Sequence, residues 1–252
     1  MPVKTDVGTL LFQAHDRLMM PLITAQHGRW EVAESDQLRA LLRPGMTFLD
    51  VGAHVGYMTL LGVRAVGPSG RVIAVEASPA NVALLRRNLK ANGAADVEVV
   101  AAAASDRSGI LGLSLSPWNT GDNRAYAVPE MPVVEVRAVR LDDVLAPDVH
   151  IDVVKLDTQG TDHRAVRGMA ATIARCRPVL VVEFWPLGIA ESGDDPLAVV
   201  DQYTAMGLEV RVLGESERGR TLTPQQVVDA ARARHGELCT LVLRPAPQQP
   251  TA

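Results

Sequence analysis

From Thr47 to Leu213 the chain keeps changing period. Short runs rich in Val, Ile and Leu alternate with longer stretches whose apolar residues recur every three or four positions. The short runs read as buried strands and the longer stretches as helices. Their regular alternation demands crossover connections in a parallel sheet. Strands are expected at Thr47–Val51, Arg71–Ala77, Val97–Ala103, Ile151–Leu156, Val179–Phe184, Leu208–Leu213 and Leu238–Leu243. Helices are expected at Tyr57–Val66, Pro79–Ala91, Asp162–Ala174, Pro196–Met206 and Pro224–Arg234. The fold class that follows is α/β: a doubly wound, mostly parallel, seven-stranded sheet with helices on both faces. The last two strands are expected to pair antiparallel at one edge.

Gly109–Ser116 and Val133–Val139 break the alternation. They read as extended segments around a polar loop, Pro117–Pro132, a hairpin-like insertion. Residues 1–43 read as helical, because Leu10, Leu11, Ala14, Leu18 and Met19 recur at helical spacing and Ser35 suits a second helix start. Three regions result: an N-terminal helical segment or lid over 1–44, the sheet domain over 45–244, and a flexible Pro/Gln-rich tail over 245–252.

A chain of 252 residues can bury a full core without staples. Its 29 acids against 25 bases argue against nucleic acid as a partner. Cys176 and Cys239 are too few for a disulfide framework or a zinc cluster. No secretory pattern and no apolar run of membrane length occur, so a cytoplasmic protein without membrane contact is expected. The apolar early helices could serve a homodimer as well as a lid.

The strongest local signal is Phe48-Leu49-Asp50-Val51-Gly52-Ala53-His54-Val55-Gly56-Tyr57. A buried strand enters a glycine turn and then a helix, whose free N–H groups can meet a ligand. A dinucleotide fingerprint would need glycines at 52, 54 and 57, where this chain has Gly52, His54 and Tyr57. An NAD-dependent oxidoreductase is therefore disfavoured. Asp50 suits a cationic ligand, such as the α-amino group of S-adenosylmethionine. Glu76 ends the next strand, where a carboxylate can accept both ribose hydroxyls, with Ala77 and Ser78 in the turn behind it. Ala104, Ser105 and Asp106 end the third strand and are placed to pair with the adenine edge.

These motifs, together with Asn88, Asn92, Gly109, Val139-Arg140-Leu141-Asp142-Asp143, Val154-Lys155-Leu156-Asp157-Thr158-Gln159-Gly160 and Arg177-Pro178-Val179-Leu180-Val181-Val182-Glu183, resemble the FkbM-like methyltransferases. The resemblance covers roughly residues 45–186. It implies a class I methyltransferase-like Rossmann fold, S-adenosylmethionine as cofactor, and O-methylation of a sugar, polyketide or other secondary metabolite. The family often has Asn at the place of His54, Pro at Ala77, and an acid at Gln159.

Methyl transfer to a hydroxyl needs alignment and a base. Asp157 and Glu183, at strand ends, and His163, at the start of a helix, are the candidate catalytic residues. Mg²⁺ held by Asp157 and Glu183, with Asp122 or Asp162 as a third donor, is the alternative and not the favoured one. Trp118, Asn119, Asp122, Asn123 and Arg124 in the insertion, with Trp185, are expected to wall the pocket of a small-molecule acceptor. N- or carboxyl-methylation, and a non-catalytic protein that binds the adenosyl cofactor, are the competing functions.

Overall fold

The computed structural model describes residues 1–215 and 222–246. The chain begins as a β-hairpin, β1 (Pro2–Thr5) and β2 (Gly8–Leu11), followed by helices α1 (Met19–Ala25) and α2 (Val32–Leu41). Then β3 (Thr47–Val51), α3 (Tyr57–Val66), β4 (Arg71–Glu76), α4 (Pro79–Ala91) and β5 (Glu98–Ala101) form two crossover units. The insertion comprises β6 (Ala103–Ala104), β7 (Gly109–Ser114) and β8 (Val133–Val139), and α5 (Leu141–Val144) leads out of it. The second half runs β9 (Val153–Leu156), α6 (Asp162–Arg167), α7 (Ala170–Cys176), β10 (Val179–Phe184) and α8 (Pro186–Glu191). It closes with α9 (Pro196–Ala205), β11 (Leu208–Val212), α10 (Pro224–Arg232) and β12 (Cys239–Pro245).

The central sheet has the order β11-β12-β10-β9-β3-β4-β5. Its pairs are parallel except those of β12, which runs antiparallel to both β10 and β11. This is the expected seven-stranded sheet, antiparallel edge included. Both faces are buried, so successive residues serve opposite cores. Leu49, Val51, Ile73, Val75, Val154 and Leu156 pack on one side with α6, α7, α9 and α10. Phe48, Val72, Ala74, Val153 and Val181 pack on the other with the hairpin and α1 to α3. Among the described residues no helix is long and apolar enough to cross a membrane.

The N-terminus departs from the helical expectation. Residues 2–11 are a hairpin, not a helix, with Val3 opposite Leu10 and Thr5 opposite Gly8. The β-branched alternation Val3, Thr5, Val7, Thr9 carried that signal. Asn88 and Asn92 of α4 satisfy the backbone of β2. Asn88 accepts from the Leu11 N–H at 2.8 Å and donates to its carbonyl at 3.0 Å. Asn92 does the same for Thr9 at 3.1 and 2.9 Å. The helix expected over 162–174 is two helices. A Cβ on Gly168 would stand 1.9 Å from the Ser105 carbonyl oxygen, so the chain packs too closely there for a side chain. The Asp142 carboxylate then accepts the Ala171 and Thr172 N–H groups at 2.9 Å each and starts α7 anew. Helix α8, six residues opened by Pro186, is too short for its period to be read. Of the expected tail, Pro245 ends β12 and residues 247–252 lie outside those described.

Candidate functional site

Strands β9, β3, β4 and β5 lie side by side, so Asp157, Gly52, Glu76 and Ala102 follow one another along their carboxyl ends. All four line one pocket. The sheet order reverses between β9 and β3, where open α/β sheets bind ligands. Trp30 and Glu31 close it from the segment ahead of α2, and Asn119, Thr120 and Asn123 close it from the insertion.

Gly52 stands at φ +82°, and a Cβ there would lie 1.8 Å from the Asp157 carbonyl oxygen. Only glycine lets the β3 turn pass β9. Three other wall residues, His54, Glu31 and Gln159, hold positive φ of 50°, 44° and 52°. Each such conformation costs about 1–3 kcal/mol and persists where the surroundings enforce it.

Glu76 is buried and anchored. Its Oε2 accepts the His54 N–H and its Oε1 the Ser78 N–H, both at 2.8 Å. Burial pushes its carboxyl up, and these hydrogen bonds oppose the rise. Asn81 of α4 also points at Oε1. Oε2, with one donor, keeps capacity for a ligand hydroxyl.

The His54 ring joins the two sides of the roof. Its Nε2 lies 2.8 Å from Thr120 Oγ1, whose hydroxyl donates to Asp16 Oδ2 at 2.6 Å. The Thr120 proton is spent on Asp16, so His54 Nε2 carries the proton between them. Burial pushes this imidazole down to about 4, against the pull of Asp16 and Asp157, and it is neutral at physiological pH. Burial alone would raise Asp16, but hydrogen bonds from Thr120, Met19 and Leu18 hold it below the usual range.

The β9 end of the pocket is crowded with acids. Asp50 pairs in register with Lys155, and Lys155 Nζ donates to Asp157 Oδ2 at 2.9 Å. Gln159 Nε2 donates to Asp157 Oδ1 at 2.6 Å and to Glu183 Oε1 at 3.2 Å. Burial lifts Glu183 and Glu31 well above the ordinary range, and neighbouring carboxylates lift them further. Glu34 is pushed up to about 7, by burial first. Lys155 is held charged: burial would lower it, but Asp157, Glu34, Glu31 and Asp50 raise it well above its usual value.

The expected cofactor residues divide. Gly52, Ala53, His54, Tyr57, Glu76, Ala77 and Ala104 line the pocket. Gly56 and Ser78 stand behind it, at the starts of α3 and α4. Asp50 does not reach the pocket surface. It is sealed under the turn, where its Oδ2 accepts from the Thr59 hydroxyl at 2.6 Å and its Oδ1 has no partner. Ser105 is buried beside the pocket and its N–H serves the Val139 carbonyl. Asp106 pairs with Arg167 at 2.9 Å, which turns it from the adenine edge.

Among the catalytic candidates only Asp157 lines the pocket. Glu183 sits one amide behind it. His163 is fully buried elsewhere, its Nε2 2.9 Å from Asp194 Oδ2 but off hydrogen-bonding direction. Among the described residues no three His, Cys, Asp or Glu side chains gather as a metal would need. Asp122 pairs with Arg124 at 2.9 Å, and Asp162 accepts the Thr158 N–H. Of the expected substrate residues, Asn119 and Asn123 line the pocket. Arg124 lies 4.7 Å over the Trp185 ring and bonds Glu191, so this group forms an outer brace. Trp118 is 64% exposed. Glu31, Asp16 and Thr120 were missed, since isolated polar residues in loops carry no sequence period.

A doubly wound sheet, a glycine turn at its switch point and an acid ending the next strand define the class I S-adenosylmethionine-dependent methyltransferase fold. Two solved structures share it. The methyltransferase FkbM from Methylobacillus flagellatus matches 83% of this chain and 50% of its own, at 14% identity and a TM-score of 0.50. A SAM-dependent methyltransferase from Aquifex aeolicus matches 89% of this chain and 96% of its own, at 16% identity and a TM-score of 0.50. Among curated relatives, a protein-L-isoaspartate O-methyltransferase from Triticum aestivum is 36% identical over 104 residues, 38% of this chain and 42% of that protein. An arsenite methyltransferase from Halobacterium salinarum is 39% identical over 59 residues, 23% of this chain and 15% of that protein. The chain thus spans less than half the length of either relative. The methyltransferase FkbM domain matches residues 50–203, more than half of the chain, which belongs to this family.

Proposed function

We propose that this protein methylates a hydroxyl of a small molecule, a sugar, polyketide or other secondary metabolite, with S-adenosylmethionine as donor and Asp157 as base. The pocket suits that cofactor. Glu76 offers Oε2 as an acceptor for a ribose hydroxyl, and Ala102, Ala103 and Ala104 offer an apolar wall for a purine. When bound, the cofactor supplies an electrophilic methyl on a sulfonium that becomes a neutral thioether.

The observation that carries the reading is Asp157 itself. It is the candidate base that faces the pocket, just past the end of β9, with Lys155 and Gln159 each fixing one oxygen. Held this way it can accept the acceptor's hydroxyl proton as the oxygen gains its methyl. Burial and the neighbouring carboxylates push the Glu183 carboxyl well above the ordinary range, and it stands behind Gln159, so it supports rather than receives. His54 Nε2 already bears a proton toward Thr120, so this atom cannot take another.

The test is methyl transfer from labelled cofactor to a panel of sugars and polyketide aglycones, with native protein and Asp157→Asn. The expected loss of turnover in the variant is ~10²–10⁴-fold, the usual worth of a general base. Full turnover by Asp157→Asn removes the base assignment. A methylated amine or a methyl ester as sole product removes the hydroxyl assignment.

A further inference from the structure

The small sheet of the insertion ends in an open edge. In the order β6-β8-β7, strand β7 is paired along one side only. At its far end the Ser114 N–H donates to the Arg124 carbonyl and the Arg124 N–H donates back, both at 2.9 Å, while the Leu115 N–H donates to Pro132, next to β8. Hydrogen-bonding direction alternates along an antiparallel strand. Leu111 and Leu113 therefore serve β8, and Ile110 and Gly112 turn their N–H and carbonyl groups outward, where they meet no backbone partner among the described residues.

The other sheet edges are guarded. Strand β11 carries Glu209 and Arg211, β5 carries Glu98, and β1 carries Pro2 and Lys4. Asn88 and Asn92 occupy β2, and β6 is only 2 residues long. The run Gly109-Ile110-Leu111-Gly112-Leu113-Ser114 has no charge and no proline, the devices that keep a natural edge from pairing. Its outer face is apolar as well. Ile110 is 68% exposed and Val133, on β8, is 56% exposed. A Cβ on Gly112 would stand 2.9 Å from Val133 Cγ1, so Val133 leans over the glycine.

We propose that β7 is the interface of a homodimer, in which the β7 strands of two copies pair antiparallel about a two-fold axis at Leu111. Arg124 already holds Ser114, which leaves a free edge centred on that residue. In this register Ile110 of each copy stands opposite Gly112 of the other. Both face outward, so each such pair exchanges N–H and carbonyl bonds in both directions. Ile110 of one copy then lies across Gly112 of the other and meets the Val133 that leans over it, which covers both exposed side chains. A slip of one residue sets an outward-facing residue against an inward-facing one. A register centred on Gly112 calls on Ser114, which Arg124 holds.

The test is sedimentation velocity over a concentration series, with native protein, Ile110→Lys and Ile110→Pro. The Ile110 N–H does not serve β8, so proline there costs the monomer no ladder bond and removes one from each copy in the dimer. Native protein is expected to dimerise at micromolar concentration. Either variant is expected to raise the dissociation constant by ~10-fold or more, because the two-fold axis repeats each change. Circular dichroism and unfolding midpoints that match native protein show that the variants fold. Leu111→Cys reads the register and carries the test if both variants misfold. Residues facing each other in a non-hydrogen-bonded pair lie about 4.5 Å apart at Cα, within disulfide reach, so oxidation should link two copies. Val133→Cys, exposed but separated from its mate by both β7 strands, should not link; the native Cys176 and Cys239 are buried. A native protein that stays monomeric at every concentration overturns the proposal. So does a dimer that neither Ile110 variant weakens, or one that Leu111→Cys fails to cross-link.

Discussion

Single residues set most of the pocket's chemistry, and their effects separate cleanly. Gly52→Ala is expected to be severe. The new methyl would meet the Asp157 carbonyl oxygen, a backbone atom, at 1.8 Å and at a positive φ. Loss of about 2–4 kcal/mol in denaturant unfolding, with loss of S-adenosylhomocysteine binding, is the expected outcome. Thr120→Val removes the hydroxyl that links His54 to Asp16 while keeping the side chain's shape. It leaves the buried Asp16 oxygen one donor short, so about 1–3 kcal/mol is lost, and cofactor affinity falls with it. At this scale the sequence was readable where a residue sits in a motif: Gly52, Glu76 and Asp157 all line the pocket as their spacing implied. It was unreadable where position depends on a distant partner. Nothing near Asp106 in the chain announces Arg167, and nothing near His163 announces Asp194.

Among elements, the crossover units were legible because a buried strand and an amphipathic helix each carry their own period. Helices α3 and α4 and strands β3, β8 and β10 begin and end where the sequence placed them. The hairpin's short alternation was outweighed by the helical spacing beyond it, and its stability is lent by another element. An isolated hairpin of four-residue strands is marginal in water. Here the amides of Asn88 and Asn92 replace a neighbouring strand. Asn88→Leu strands the Leu11 N–H and carbonyl and the Val55 carbonyl together. A loss of roughly 2–4 kcal/mol is expected. Amide exchange at Thr9 and Leu11 should speed up far more than exchange in β3; equal acceleration in both would mean that the hairpin does not open by itself. The break between α6 and α7 has a similar origin, because Asp142 caps α7 from 29 residues away.

For the whole molecule, the buried acids govern the response to pH. Glu34 and Asp162 stand at about 7 in the fold, against ordinary values of 4.5 and 3.8, with burial the leading cause in both. Glu31 and Glu183 move the same way. The folded chain therefore holds protons that the unfolded chain has released by pH 5 to 7. The stability tied to those protons is complete below the unfolded values and is lost as pH rises through the folded ones. His54, at about 4 against 6.5, works in reverse and loses its contribution as pH falls. Asp50 and Glu76 are raised as well and His163 is lowered, so six acids outweigh two imidazoles and Tm of the ligand-free protein should rise by ~5 °C or more from pH 8 to pH 5. Glu34→Gln should flatten that slope, and a Tm that falls steadily from pH 8 to pH 5 would contradict the assignment.

The contacts that join the hairpin to the rest also say something about how the molecule is made. Residues Thr9 and Leu11 leave the ribosome 83 and 77 residues ahead of the asparagines that hold them. Asp16 precedes Thr120 by 104 residues, and Glu34 precedes Thr240, whose hydroxyl it accepts, by 206. At about 5–20 residues per second, the hairpin waits several seconds for its first partners during synthesis. An element made early is thus completed only by elements made later, and until then its unpaired strand edges are the part of the nascent chain most open to aggregation.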